Sequence, residues 1–117
     1  MQSLAELKAK GSLLGNRAVF TAREREYCAG RADPAASYAG LLCAKEACIK
    51  ALADFDGRPR FTFLDLEIDH AASGRPRLRP GPRLAPWLAA AGVSIDLTIS
   101  HSADYATATA VALCLPP

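Results

Sequence analysis

The chain has 117 residues, of which 50% are hydrophobic and 22% charged, and its net charge is +2. These values argue against a disordered chain and predict one domain over residues 1–117. The small charge excess argues against general nucleic-acid binding, and the lack of a long apolar run argues against a membrane span.

The cysteines and the N-terminal segment indicate where the protein works. The four cysteines form no C-x-x-C pair and have no histidine at zinc spacing, which is typical of reduced side chains that fill a core. The N-terminal residues lack the charged-then-apolar layout of a signal peptide. We therefore expect a cytoplasmic protein.

Three helices are predicted in the first half of the chain, over about 4–14, 21–30 and 35–53. The first two open with a capping box, formed by Ser3 with Glu6 and by Thr21 with Glu24. The third helix is apolar on nearly all sides, and such a helix is expected to be buried.

The second half of the chain is predicted to be mostly strand. Alternating residues indicate strands over 61–69, 75–79, 94–100 and 106–114, and a short helix over 84–91 ends at Gly92. Because helices lead and antiparallel strands follow, the fold class is α+β, with an antiparallel sheet packed on the long buried helix.

Three charged residues lie within the apolar long helix: Lys45, Glu46 and Lys50. In one interpretation Glu46 and Lys50 form an ordinary ion pair between residues four apart, and the Lys45 side chain extends to solvent. In the other, Glu46 binds a metal and the lysines face a phosphate, because magnesium with a polyphosphate would satisfy all three charges. The spacing alone does not decide between them.

Two polar features of the strand half also have two interpretations. Six arginines between Arg58 and Arg83 form either a solvated surface or a patch that meets phosphate or an acidic partner. Ser100 and His101 end a predicted strand, where His101 either bonds its own turn or donates to a phosphate oxygen or a ribose. Neither belongs to a hydrolase nucleophile motif.

Five short motifs follow one another in a distinctive order. They are F-T-A-R-E at 20–24, A-K-E-A-C-I-K at 44–50, D-L-E-I at 65–68, G-R-P at 74–76, and I-S-H at 99–101 followed by Y-A at 105–106. In this order they resemble the small, single-domain holo-(acyl carrier protein) synthases of the phosphopantetheinyl transferase superfamily. In the larger surfactin-type transferases the S-H-S element precedes the K-E-A helix, whereas here it follows.

The resemblance implies an enzyme that transfers 4′-phosphopantetheine from coenzyme A to a serine of an acyl carrier protein, with Mg²⁺. It implies a homotrimer with active sites between neighbouring subunits, serving fatty acid or polyketide synthesis. By match to the motifs, Glu46 is the magnesium ligand and Lys50 a catalytic residue near the transferring phosphate or the carrier serine. The resemblance also implies that coenzyme A is held by four residues: Lys45, Arg75, Ser100 and His101. The first helix, with Lys8, Lys10 and Arg17, matches the region that docks the acidic carrier.

The chain departs from the family pattern at two places. The family opens with a strand reading G-x-D, an aliphatic residue and V, whose aspartate is a second magnesium ligand, whereas this chain begins Met-Gln-Ser. The family also has an arginine where this chain has Leu41. One carboxylate is a poor magnesium anchor unless waters, phosphates or another acid complete the coordination.

Three explanations for these departures stay open. The chain is a shortened form of an active enzyme, or a divergent enzyme that recruits Asp65, Glu67 or Asp69 as metal ligands. Alternatively, it has lost catalysis and binds a carrier protein or coenzyme A.

Overall fold

The computed structural model describes residues 2–3, 14–102 and 104–114. The predicted first helix, over 4–14, lies outside these residues except for its last position. The strands are β1 (Gln2–Ser3), β2 (Leu66–His70), β3 (Pro76–Pro80), β4 (Val93–His101) and β5 (Tyr105–Cys114). The helices are α1 (Ala22–Ala29), α2 (Pro34–Leu52) and α3 (Ala85–Ala91), with a 3₁₀ helix at Phe63–Asp65.

The strands described form two antiparallel sheets. The larger sheet has the order β1-β5-β4, and the smaller one is the β2–β3 hairpin. β1 is short and pairs Gln2 with Ala106 and Ser3 with Tyr105. Helix α2 packs across β5 and β4, so the helix and the larger sheet share one core. This arrangement confirms the predicted α+β class.

Helix α2 begins where the sequence favours a start. The Asp33 side chain accepts a hydrogen bond from the Ala36 N–H at 3.3 Å, and Pro34 occupies the first turn. Its sheet-facing side carries small residues, so the backbones approach closely. A Cβ at Gly40 would lie 3.0 Å from the Ile99 side chain and 3.3 Å from His101. Gly40 therefore places the middle of α2 directly against the end of β4.

Strand β5 shows a clear alternation between its two faces. Its even-numbered residues from 106 to 112 are buried or half-buried, and Ala106 is fully buried. The odd-numbered residues are exposed, including Val111 at 48% and Leu113 at 56%. The sheet thus has one face covered by α2 and one exposed face with apolar side chains.

The strand predicted over 61–69 is wrong in its first half. Residues Phe63–Asp65 form a 3₁₀ helix, and β2 begins only at Leu66. The cause is the Asp65 carboxylate, which accepts the Thr62 N–H at 2.9 Å and so turns the chain. Asp65 is consequently buried, whereas Leu64 is 40% exposed.

The other predicted elements within the described residues are confirmed to within two residues at their ends. The Thr21 capping box of α1 is present in both directions, and Gly92 ends α3 in the left-handed region at φ 67°. Among the described residues, no helix is long and apolar enough to cross a lipid bilayer.

Candidate active site

The exposed side of α2 presents Glu46 and Lys50, one helical turn apart. The simple interpretation of an ion pair between them is wrong: within residues 14–102 and 104–114 no ion pair of 4.0 Å or less joins the two. Both side chains are exposed and, among the described residues, have no ion-pair partner, so they are accessible to a ligand. This is the part of the K-E-A-x-x-K motif that fits a binding site.

Lys45 has the opposite placement. It is completely buried, and its Nζ lies 2.9 Å from Glu24 Oε1 and donates to the Phe63 and Leu66 carbonyls at 2.9 Å each. An ammonium has three N–H donors, so these partners saturate it. The expectation that Lys45 holds coenzyme A is therefore corrected, as is the interpretation in which its side chain reaches solvent.

Burial lowers the pKa of Lys45, and the Glu24 carboxylate opposes that shift. Glu24 itself is 1% exposed. The F-T-A-R-E motif marked Glu24 only as a cap, although a lone cation on the inner face of an apolar helix must have a buried partner. That requirement is the signal that could have predicted the pair.

Ser100 and His101 lie exposed at the end of β4. The Gly40 contact places His101 beside the first half of α2. His101 lines a cleft of about 170 Å³ that is also lined by Tyr27, Arg31 and His70. A histidine and an arginine around a small open cleft suit an anionic group. The roles of Ser100 and His101 toward coenzyme A stay predictions.

Arg75 begins the returning half of the β2–β3 hairpin. Its Nη2 lies 2.5 Å from Asp96 Oδ1 on β4, and both side chains are more than 60% exposed. Gly74 and Pro76, the neighbours of Arg75, line the same cleft as His101. Because an exposed ion pair contributes little to folding stability, Arg75 can exchange Asp96 for a phosphate at small cost. The predicted role of Arg75 in binding coenzyme A therefore stays a prediction.

Tyr27 and His70 stack in this cleft, with ring centroids 4.1 Å apart and planes 7° from parallel. Burial lowers the pKa of His70 from 6.5, nearby Asp69 opposes the shift, and Arg31 adds to it. On acidification the His70 imidazole therefore takes up its proton at a higher pH in the unfolded chain than in the folded protein. We expect the free energy of unfolding to decrease as the pH falls below about 6.5.

This expectation is tested by replacing His70 with phenylalanine, which keeps an aromatic ring against Tyr27. His70→Phe is expected to flatten the decline in Tm between about pH 7.5 and pH 5. His101→Gln is the matched control, since it removes the chain's other histidine from an exposed position. An unchanged decline in His70→Phe would contradict the role given to His70.

Of the four carboxylates proposed as metal ligands, Asp65, Glu67 and Asp69 each have a partner among the described residues, whereas Glu46 is exposed. Asp65 caps the 3₁₀ helix, Glu67 accepts the Thr21 hydroxyl at 2.7 Å, and Asp69 lies 3.3 Å from Arg77 Nη2. In the described part of the chain, no group of three or more His, Cys, Asp or Glu side chains could hold a metal ion. A single exposed carboxylate fits Mg²⁺ that takes its other ligands from water and substrate phosphates.

The described residues thus form a small domain with antiparallel strands and a long buried helix that carries an exposed Glu–Lys pair. This combination points to one class of protein. The model of the 4′-phosphopantetheinyl transferase superfamily matches residues 7–110. The chain belongs to the 4′-phosphopantetheinyl transferase superfamily.

Within it, the chain is 40% identical to the holo-(acyl-carrier-protein) synthase of Protochlamydia amoebophila over 107 residues, 92% of this chain and 84% of that relative. The crystal structure of the same enzyme from Neisseria meningitidis superposes with a TM-score of 0.80 at 27% identity, over 95% of this chain and 91% of that one. The coenzyme A complex of the Chronobacterium ammoniagenes enzyme superposes with a TM-score of 0.79 at 29% identity, over 97% and 92%.

Proposed function

We propose that this protein is a holo-(acyl carrier protein) synthase that transfers 4′-phosphopantetheine from coenzyme A to a serine of an acyl carrier protein. The observation that carries the proposal is the different placement of the three charged residues of the K-E-A-x-x-K motif. Lys45 is buried and paired within the fold, whereas Glu46 and Lys50 lie exposed, one helical turn apart. A purely structural motif would not need its two remaining charges on one solvent face. The activity of the holo-(acyl-carrier-protein) synthases that this chain resembles, and the coenzyme A complex of one of them, support the same conclusion.

In the proposed reaction the carrier serine oxygen attacks the phosphorus that bears pantetheine, and 3′,5′-ADP leaves. Lys50 offsets the charge of this phosphate or, when neutral, accepts the serine proton. Glu46 would hold Mg²⁺, which supplies charge neutralisation at the diphosphate when bound. His101, with Arg75 and Ser100, would hold the coenzyme A phosphates at the open cleft. Positioning and charge neutralisation supply most of the rate in such chemistry.

We further propose that the protein works as a homotrimer in the cytoplasm. The exposed face of β5 supports association, because Tyr105, Val111 and Leu113 are each about half exposed. Sheet faces with apolar side chains of this kind are commonly buried against another chain. Active sites between subunits would place a neighbour's side chains beside Glu46 and His101.

Mass spectrometry of apo-carrier proteins incubated with the protein, coenzyme A and Mg²⁺ tests the proposal. The panel should include carriers from fatty acid and polyketide synthesis, each with a serine-to-alanine version as control. We expect a phosphopantetheine adduct on at least one carrier, and none on its control or without Mg²⁺. If the protein binds coenzyme A but forms no adduct on any carrier, the proposal that it is a transferase is contradicted.

One observation favours the alternative of a catalytically impaired module that binds coenzyme A or a carrier protein. Leu41, at the position of the family's arginine, is 2% exposed and contributes packing instead of a cation. The adduct assay separates the alternatives, because only the enzyme modifies the carrier.

A further inference from the structure

The neighbours Lys45 and Glu46 point to different sides of α2, one buried and one exposed. Successive residues of an α-helix are about 100° apart around the axis, so the direction of Lys45 dictates the direction of Glu46 and of Lys50 one turn later. Lys45 is fully buried, and Glu46 and Lys50 are exposed. The contacts that fix the position of Lys45 therefore also determine the directions in which Glu46 and Lys50 point.

The apolar packing of α2 is one determinant of this direction. Its buried face combines large residues, among them Leu41 and Leu52, with the small residues Ala39, Gly40 and Ala44. Apolar contacts are non-directional, and a core of conserved volume tolerates some repacking. A directional polar contact adds selectivity between slightly rotated placements of the helix.

Lys45 makes that directional contact. Its ammonium reaches three oxygens at 2.9 Å, from Glu24 on α1, from Phe63 in the 3₁₀ helix and from Leu66 at the start of β2. Rotation of α2 would pull the ammonium away from all three, and each lost contact would leave a buried polar group unsatisfied.

Glu24 is held as firmly as Lys45. Its Oε1 accepts the Thr21 N–H at 2.9 Å, and its Oε2 accepts the Ile68 N–H at 2.9 Å. One buried carboxylate thus joins the first turn of α1 to β2, and Lys45 joins both to α2. The pair is a junction of α1, α2 and β2 with no exposed member.

We propose that Glu24 and Lys45 are positioning residues, whose buried ion pair sets the rotation of α2 and thereby the direction of Glu46 and Lys50. This inference rests on the proposed function, since it concerns how the same site is held. An apolar pair of equal volume can stabilise a fold as well as a buried ion pair does. What it lacks is the geometric selectivity of an ammonium with three acceptors.

The test uses the double variant Glu24→Gln/Lys45→Met, which removes both charges and keeps side chains of similar size. Its folding is checked by circular dichroism, and assays are run well below its Tm. We expect kcat to fall about 100-fold, since misplacement of a reacting group by about 1 Å has effects of this size. The KM for coenzyme A should change little, because neither residue contacts it.

A second readout does not require turnover. Calorimetric titration of Mg²⁺ in the presence of coenzyme A is expected to show weaker metal binding in the double variant, by about tenfold. A folded double variant with wild-type kcat and wild-type metal binding would overturn the proposal and leave the pair a purely structural role.

The two proposals fail separately. Wild-type protein that modifies no carrier but binds Mg²⁺ with coenzyme A refutes the transferase, and the titration still tests the positioning. If the wild-type protein binds no Mg²⁺ in the presence of coenzyme A, the positioning role proposed for Glu24 and Lys45 is overturned, because Glu46 is then not a metal ligand whose direction matters. A double variant that fails to fold is replaced by Lys45→Met alone, which keeps the Glu24 caps and receives the same two measurements.

Discussion

Replacing Glu46 with glutamine is expected to lower the rate of phosphopantetheine transfer by about 100-fold or more, while the fold is kept. Glutamine preserves the length and the surface of the side chain but removes the negative charge that would hold Mg²⁺. Because Glu46 is exposed and has no ion-pair partner among the described residues, the change in unfolding free energy should stay within about 0.5 kcal/mol. Transfer is measured as adduct formation, and stability as urea unfolding.

The matched control for this variant is Asp54→Asn. Asp54 is also an exposed carboxylate and lies just beyond the end of α2. We expect this control to keep its activity, which separates loss of the Glu46 carboxylate from a general loss of surface charge. Full transfer by Glu46→Gln at saturating Mg²⁺ would refute the role of Glu46 as metal ligand.

Most of the fold could be predicted from the sequence, because its signals are local. The Thr21 capping box, the Asp33–Pro34 helix start and the left-handed Gly92 each involve residues within a few positions of one another. The alternation of the last two strands likewise reports which face is covered. Local signals of this kind are sufficient when no distant group competes with them.

The sequence pattern does not predict the 3₁₀ helix, because the contacts that form it are partly distant in the chain. The alternation of residues 61–69 favours a strand, but Asp65 caps Thr62 and the Lys45 ammonium takes the Phe63 and Leu66 carbonyls. Lys45 lies 18 residues or more from these carbonyls in the chain. No pattern within the strand itself records such a contact.

The candidate site was predictable in part for the same reason. The motifs indicate Glu46, Lys50 and His101, but they do not distinguish the exposed charges from the buried charge of Lys45. That distinction depends on Glu24, which the sequence marks as a helix cap. A residue can serve a local cap and a distant ion pair at once, and only the folded arrangement shows the second.

Replacing Glu24 with alanine is expected to destabilise the protein by about 3–5 kcal/mol, which is a large share of the stability of a small domain. The substitution leaves the Lys45 ammonium buried without its counter-charge and removes the acceptor for the Thr21 and Ile68 N–H groups. Urea unfolding at neutral pH measures this loss. Glu26→Ala, two residues along on the exposed side of α1, is the matched control and should cost far less.

The destabilisation should also depend on pH in a defined direction. Burial lowers the pKa of Lys45 and the Glu24 carboxylate opposes this, so removing Glu24 lowers the pKa further. The unfolded chain then binds more protons than the folded variant up to about pH 10.4, so the variant gains stability as pH rises toward that value. The stability difference between wild type and Glu24→Ala should therefore narrow between pH 7 and pH 10. A constant difference would mean that the cost comes from the lost backbone caps and not from an uncompensated charge on Lys45.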